Sequence, residues 1–453
     1  MNRLRTFLGR RSTTAAIVML SLVVRLLYLL GIAHQPLRSD AASYAEMASR
    51  LAMGSHFIPY WPPALPLYLA VASSLFGCSV LVIRLAMIPF YLGLCFALYR
   101  TALYLTSEAA CGNLALLPLV FAPGMICASV EPITEMPTAM LLMIVACSLI
   151  GVTTGKVYRR AIVLGVAIGC LALLRPASLI LLLFVPLCLV WRAKRFLAGL
   201  LAGAIPMLMV FAWIVYVQNG TGQLVMINTA NARNFYLGNN PETPLYRTWW
   251  LGSHHEHEAE LTVNQSVSKD RRALDAQYSH LAWDYIRHEP GLFLLRTFNR
   301  ICVFFALETY AGSYLIENYG FSKLFGLFVV ALDSAIYCIL AVGSILYLAT
   351  LPGPKDSSSI SIYRSINACI LIGLSLLYAA PYFIAFSHPR YHFPIEPLMM
   401  VALAAFSLPF IQGAPQAALT MLHGRRFAVA TAIVLFLAIQ IEFIIIVVRA
   451  GLA

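Results

Sequence analysis

The stretch Thr13–Ala33 reads TTAAIVMLSLVVRLLYLLGIA, with Arg25 as its only charged residue. A helix needs about 20 consecutive, mainly apolar residues to cross the hydrocarbon core of a bilayer. This stretch is therefore predicted to be a transmembrane helix. Similar runs recur throughout the chain, which is 60% hydrophobic and only 11% charged.

Ten further apolar runs approach membrane length. In lipid each backbone must satisfy its own hydrogen bonds, and these continuous runs lack the alternation that barrel strands show. The sequence therefore predicts an all-α polytopic membrane protein with about eleven transmembrane helices. The further runs lie at roughly 79–104, 112–130, 135–153, 160–175, 177–192, 196–217, 322–350, 364–386, 394–411 and 427–448.

The basic residues indicate the orientation of these helices. The formal net charge is +12, but the positive residues form small clusters at the ends of apolar runs instead of one soluble face. This distribution argues against a nucleic-acid partner and, by the positive-inside rule, marks cytoplasmic loops. We expect a multi-pass protein of the inner (plasma) membrane, in contact with membrane lipids and with its N terminus inside. The clusters are Arg3, Arg5, Arg10 and Arg11; Lys156, Arg159 and Arg160; and Arg192, Lys194 and Arg195.

The same pattern divides the chain into three parts. Within the second part, residues 291–307 are apolar but carry Arg296 and Arg300 about one helical turn apart, which would be costly at mid-bilayer. We expect an amphipathic helix on the outer surface there. The parts are an N-terminal transmembrane catalytic module (1–217) with a first outer loop (34–78) carrying juxtamembrane helices, a small outer, periplasmic segment (218–321), and C-terminal transmembrane helices (322–453).

Asp40 is the first candidate catalytic residue, because a carboxylate directly after a transmembrane run calls for an explanation. One interpretation is a general base, which takes a proton from a nucleophile. Another is a helix N-cap, with Ser43 and Glu46 beginning a capping box, and the two roles can coexist. The following helix carries an apolar stripe that could rest on the membrane. The stripe consists of Tyr44, Met47, Ala48 and Leu51.

Further polar residues fall in turns on the same predicted side. Glu131 and Glu135 lie between the third and fourth runs, where a carboxylate at a helix N terminus is also favoured by the helix dipole. Arg175 precedes Pro176 in another outer turn, and Arg390 and Tyr391 lie between two late runs. All three could bind the donor phosphate, or they could anchor the chain at headgroup level.

The run His254-His255-Glu256-His257-Glu258 offers imidazole and carboxylate groups. His254 and His257, like Glu131, are weak candidates for contacting an acceptor or a divalent metal, because adjacent side chains in an extended loop rarely converge on one ion. A solvated loop is the alternative interpretation. The sequence establishes no cofactor and leaves the metal unknown.

The order of these motifs resembles that of the GT-C glycosyltransferases related to protein O-mannosyltransferases and to the bacterial lipid A aminoarabinose transferase. The resemblance extends from about Arg3 to Pro397. Many relatives have an Asp-Glu pair where this chain has Ser39-Asp40. The motifs are Asp40, then Tyr60-Trp61-Pro62-Pro63, Glu135, Arg175-Pro176, Asn239-Asn240-Pro241 and Arg390-Tyr391-His392.

The resemblance implies transfer of a sugar from a polyprenyl-phosphate carrier to a hydroxyl of a lipid, glycan or protein on the outer side of the membrane. It further implies that Asp40 is the catalytic base, that Glu135 helps to position the acceptor or a metal, and that Arg390 and Tyr391 lie near the donor phosphate. We expect an inverting hexosyl- or pentosyltransferase, because no separate covalent nucleophile is evident.

Two functions of other classes stay open at this point. A polytopic transporter or lipid-carrier flippase would also have many spans and a polar cavity, although such proteins tend to carry charged residues near mid-span. A non-catalytic glycan-binding subunit would share the same motifs without turnover.

Overall fold

A computed structural model describes residues 2–152, 156–241, 243, 271–352 and 359–451. Over these ranges the chain is helical and contains no β-strand, which confirms the predicted all-α class. His254 and His257 lie outside the described residues, so their predicted role stays a prediction.

The first half of the chain forms a series of helices joined mostly by short turns. In chain order these are α1 (Asn2–Leu8), α2 (Arg11–Ile32), α3 (Ser39–Ala52), α4 (Ala64–Phe76), α5 (Val80–Leu85), α6 (Ile88–Thr106), α7 (Ala109–Leu116), α8 (Pro118–Phe121), α9 (Pro123–Ala128), α10 (Glu135–Ile150), α11 (Val157–Leu174), a 3₁₀ helix (Pro176–Ile180), α12 (Leu181–Ala193) and α13 (Phe196–Thr221).

The second half continues in the same way. Its helices are α14 (Asn231–Gly238), α15 (Arg271–His288), α16 (Pro290–Phe304), α17 (Tyr310–Tyr319), α18 (Lys323–Ala349), α19 (Ser359–Ile384), a 3₁₀ helix (Pro389–Ile395), α20 (Glu396–Ile411), α21 (Gln416–Gly424) and α22 (Arg426–Gly451).

Nine helical stretches within the described ranges are long and apolar enough to cross a membrane, which confirms the multi-pass architecture. The other two predicted runs form shorter helices. Residues 112–130 are divided among α7, α8 and α9 at Pro118 and Pro123, which lack a backbone N–H, and residues 135–153 form α10. The count of eleven stays a prediction. The nine are Arg11–Ile32, Val80–Thr106, Val157–Leu174, Pro176–Ala193, Phe196–Thr221, Lys323–Ala349, Ile362–Ile384, Pro389–Ile411 and Arg426–Ile446.

Helix α10 lies at the centre of the bundle. Nearly all its residues are buried, and it packs against α6, α11 and the 3₁₀ helix that begins at Pro389. A helix that is apolar on all faces fits such a position. Its first residue, Glu135, is therefore a carboxylate in the protein interior, where the helix N terminus favours negative charge.

Helix α16 covers the segment that is expected to be an amphipathic helix on the outer surface, and that location stays a prediction. Arg296 and Arg300 lie on its buried face, whereas Leu294 and Phe298 are exposed. The arginines turn inward because carbonyls at the C-terminal end of α14 need donors. Arg300 Nη1 donates to the carbonyl of Gly238 at 2.7 Å, and Arg296 Nη1 donates to that of Asn240 at 2.8 Å.

Candidate active site

Asp40 lies in the first turn of α3, where Arg38 occupies the N-cap position. The N-cap interpretation of Asp40 is therefore wrong, since its carboxylate forms an ion pair with a distant residue instead of capping its own helix. The stripe residues Tyr44 and Met47 are buried beneath the helix. Ser39 adopts a φ of 52°, a left-handed conformation that costs a residue other than glycine about 1–3 kcal/mol.

Four charged side chains meet in one cluster, which we call the charge tetrad: Asp40, Glu135, Arg175 and Arg390. Arg390 Nη2 donates to Asp40 Oδ2 at 2.8 Å, and Arg390 Nε lies 2.9 Å from Glu135 Oε1. Arg175 Nη2 donates to the same Glu135 oxygen at 2.7 Å. Two guanidinium groups thus neutralise two carboxylates that come from distant parts of the sequence.

The position of Arg175 is set by Pro176, which ends helix α11. A residue before proline is disfavoured in helical conformation, and Arg175 is accordingly extended, with φ of −142° and ψ of 101°. Its Nε donates to Thr134 Oγ1 at 3.0 Å and its Nη1 to the Tyr382 hydroxyl at 3.2 Å. With Glu135, these partners give each of the three guanidinium nitrogens a hydrogen bond.

The position of Arg390 is set by the capped 3₁₀ helix in which it lies. The 3₁₀ helix beginning at Pro389 has His388 as its N-cap, and the Nδ1 of His388 accepts from the Arg390 backbone N–H. Burial, and then the neighbouring Arg390, lowers the pKa of His388 to about 3, so the imidazole stays neutral and can accept this bond. The Arg390 guanidinium also lies 4.8 Å from the centre of the Tyr310 ring.

Tyr391 contributes its ring to the site. The Arg175 guanidinium lies 5.5 Å from the centre of that ring, and the ring of Tyr382 packs beside it at 4.7 Å. The expected contact of the Tyr391 hydroxyl with a phosphate stays a prediction.

The tetrad borders a cavity of about 560 Å³, and its members differ in their access to it. The side chains of Asp40 and Arg390 are 29% and 19% exposed, whereas those of Glu135 and Arg175 are only 2% and 9% exposed. Asp40 is therefore the more accessible of the two carboxylates, whereas Glu135 lines the cavity but is almost enclosed by the two arginines that it pairs with.

Glu131 does not line this cavity. It is fully buried beside Arg84, whose Nη2 lies 3.4 Å from Glu131 Oε1, and it accepts a hydrogen bond from the Tyr319 hydroxyl. Burial raises the pKa of Glu131. Among the described residues, no group of three or more His, Cys, Asp or Glu side chains could hold a metal ion.

The cavity also contains residues to which the sequence analysis assigned no function. Tyr60 and Trp61 line it, although the sequence identifies them only as part of a motif. Asn228, Asn231 and Asn234 line it as well, together with Arg233. The three asparagines recur every three residues, and this spacing is the signal that could have identified them.

Comparison with known proteins identifies no matching family model and no matching curated protein. The structure is similar to two solved structures of the archaeal oligosaccharyltransferase AglB from Archaeoglobus fulgidus, one in complex with an inhibitory peptide and a dolichol-phosphate and one with Zn and sulfate. Each has 13% sequence identity and a TM-score of 0.48 over 94% of this chain, and they are covered over 55% and 53% of their own length.

It is also similar to ArnT from Cupriavidus metallidurans in the apo state, at 15% identity and a TM-score of 0.38 over 87% of this chain and 78% of that one. The chain thus spans about half the length of the AglB chains. AglB and ArnT are GT-C membrane glycosyltransferases. Identity and TM-score at this level say nothing of the chemistry, which has to be argued from the residues of this chain.

Proposed function

We propose that this protein transfers a sugar from a polyprenyl-phosphate carrier to a hydroxyl acceptor, with inversion at the anomeric carbon. The observation that carries the proposal is the position of Asp40, the most exposed carboxylate of the tetrad, at a cavity and within 2.8 Å of an arginine that can bind phosphate. A base and a cation side by side are what this displacement requires.

The reaction needs a base because a hydroxyl is a poor nucleophile. Asp40 takes the proton of the acceptor hydroxyl as its oxygen bonds to the anomeric carbon. The bond between that carbon and the phosphate oxygen breaks, and the carrier phosphate leaves with the electron pair. Arg390 stabilises the charge that grows on this phosphate.

Arg390 also links donor binding to the base. While it is paired with Asp40, its guanidinium group occupies Oδ2 of the carboxylate, so that oxygen is not free to accept a proton. A donor phosphate competes for the same guanidinium group and frees Asp40 to accept a proton. The base therefore becomes active when the donor is in place.

Glu135 and Arg175 are positioning residues in this proposal. Glu135 accepts from Arg175 and lies against Arg390, so it orients both guanidinium groups while remaining almost inaccessible itself. An oriented cation needs little rearrangement when charge develops on the phosphate.

The proposal places the cavity on the outer, periplasmic side of the inner membrane. The basic clusters near Lys156 and Arg192 favour a cytoplasmic location for the loops that contain them. The acceptor class at this stage is a lipid, a glycan or a protein.

The test is a transfer assay on the purified protein with a panel of labelled polyprenyl-phosphate sugars and a lipid and glycan extract of the cell envelope. We expect one donor to give a labelled product together with free carrier phosphate. Movement of the intact donor across reconstituted vesicles without any product would instead support the transporter or flippase alternative.

A further inference from the structure

Three asparagines give one wall of the cavity a chemistry different from that of the charge tetrad. Asn231 and Asn234 are one turn apart at the start of α14, so they lie on the same side of that helix, and Asn228 precedes them by the same interval. Together with Tyr60 and Trp61 they form what we call the amide wall.

The amide wall is held in a fixed arrangement by hydrogen bonds. Asn228 Nδ2 donates to the carbonyl of Tyr60 at 3.0 Å, and Asn228 Oδ1 accepts from Asn231 Nδ2 at 3.0 Å. Arg233 Nη1 donates to the Tyr60 hydroxyl at 3.0 Å. A ligand that binds here meets groups that are already ordered, which lowers the entropic cost of binding.

The third amide of this wall, that of Asn234, differs from the other two. Asn234 is half-buried and lines the cavity, and its side chain forms no hydrogen bond within the part of the chain that the structure describes. An amide offers two donors and an acceptor, so it can pair with a hydroxyl that both donates and accepts. Trp61, whose ring lies 5.0 Å from that of Tyr60, adds an aromatic surface beside it.

These features match the two sides of a sugar ring, which has hydroxyls at its edge and C–H groups on its face. Building on the proposed function, we infer that the amide wall is the acceptor subsite and that the acceptor is a carbohydrate, as a glycan or a glycolipid headgroup. The donor phosphate takes Arg390 and its prenyl chain lies in lipid. The acceptor therefore approaches Asp40 from the side of the cavity formed by α14. In the sequence this helix lies between two membrane-length helices and is part of neither.

Sugar binding can be tested without a donor or turnover. The purified full-length protein is placed in an amphipol, because maltoside detergents would compete, and saturation-transfer NMR is recorded with methyl α-glucoside or with the peptide Gly-Ser-Gly-Thr-Gly. We expect the parent protein to transfer saturation to the glucoside and much less to the peptide. Stronger transfer to the peptide, or none to the glucoside, would overturn the inference.

Asn234→Ala should weaken glucoside binding about three- to tenfold, the effect of one or two hydrogen bonds. The matched control is Asn318→Ala, because Asn318 is also half-buried but belongs to α17 and does not line the cavity. Equal glucoside binding by Asn234→Ala and the parent would also contradict the inference that the amide wall is the acceptor subsite.

Failure of this inference and failure of the proposed function give different results. If the protein transfers no sugar from any donor, glucoside binding and its loss in Asn234→Ala are still measured. If instead it transfers sugar to the peptide and not to a glycan, the proposed transferase stands and only the carbohydrate subsite is wrong.

Discussion

Glu131 and Glu135 stand four residues apart on one turn, and each pairs with a buried arginine, yet their surroundings differ. Glu131 and Arg84, whose side chains are both fully buried, form what we call the sealed pair, and the Tyr319 hydroxyl donates to Glu131. Glu135 belongs to the charge tetrad, which reaches a cavity through Asp40 and Arg390.

The sealed pair ties together parts of the chain that must stay in place. Arg84 Nη1 donates to the carbonyls of Ile32 and Gln35, at 2.6 Å and 2.9 Å, and so fixes the end of α2 against the turn that contains Glu131. In our proposal, access to the cavity is what separates a structural ion pair from a reactive one. Both pairs join a glutamate to an arginine, 47 residues apart in one and 40 in the other.

The largest effect is expected at the exposed end of the tetrad. Asp40→Asn keeps the shape of the side chain but removes the base, so transfer should fall by about 10²- to 10⁴-fold while folding and membrane insertion stay intact. The measurement is the initial rate of sugar transfer by purified protein. Glu46→Gln is the matched control, since Glu46 lies exposed on the same helix. Turnover near the parent rate in Asp40→Asn would remove Asp40 from the mechanism.

The sealed pair should respond in stability instead of activity. Glu131→Gln leaves the Arg84 charge buried without its counterion, which should lower the free energy of unfolding by about 3–5 kcal/mol. Thermal unfolding in detergent measures this change. The KM for donor should stay at the parent value in the protein that remains folded. A raised KM with unchanged stability would show that Glu131 belongs to the site after all.

Arg390 is expected to show a smaller effect, on donor affinity. Arg390→Ala should weaken donor binding about ten- to a hundredfold, because a charge-assisted hydrogen bond contributes about 1.5–3 kcal/mol. Arg390→Lys should restore it only in part, since an ammonium keeps the charge but loses the two-pronged geometry. Donor binding and thermal stability are measured on the same detergent-solubilised samples. Unchanged donor affinity in well-folded Arg390→Ala would show that Arg390 does not bind the donor and would support the alternative that it anchors the chain at headgroup level.

The sequence predicted much of the fold and the members of the tetrad, but not how they pair. Apolar length indicates a membrane-spanning helix directly, since it depends on local composition. The Asp40–Arg390 pair joins positions 350 residues apart, and nothing local records such a contact. The same limit explains Arg296 and Arg300, whose inward orientation depends on carbonyls of α14 that only the folded chain brings near.

The amide wall escaped prediction for a different reason. Asparagine is common in turns and at helix starts, where its side chain bonds to nearby backbone, so three asparagines around residue 231 are ordinary by local rules. Their significance comes from the cavity that they line with Tyr60 and Trp61.

Helix α17 connects the two regions, and its N-terminal end provides the smallest predicted effect. Tyr310 lies under Arg390 at this end, Tyr319 reaches Glu131 at the other, and Glu308 Oε1 accepts from the Tyr310 backbone N–H at 2.5 Å. Burial raises the pKa of Glu308 from its ordinary 4.5 to about 7. The folded protein therefore holds this proton where the unfolded chain has already released it.

Stability should consequently fall as pH rises from about 4.5 to about 7 and then change little from this group, because above pH 7 both states are ionised. Glu308→Gln, which is neutral at every pH, should remove this part of the decline, and Glu46→Gln should retain it. Thermal unfolding between pH 5 and pH 8.5 measures all three proteins. An identical slope in Glu308→Gln and the parent would show that the Glu308 carboxyl is ionised in the folded protein, stabilised by Arg390 and His392. Glu308 would then act as a further charged partner of the tetrad residue Arg390.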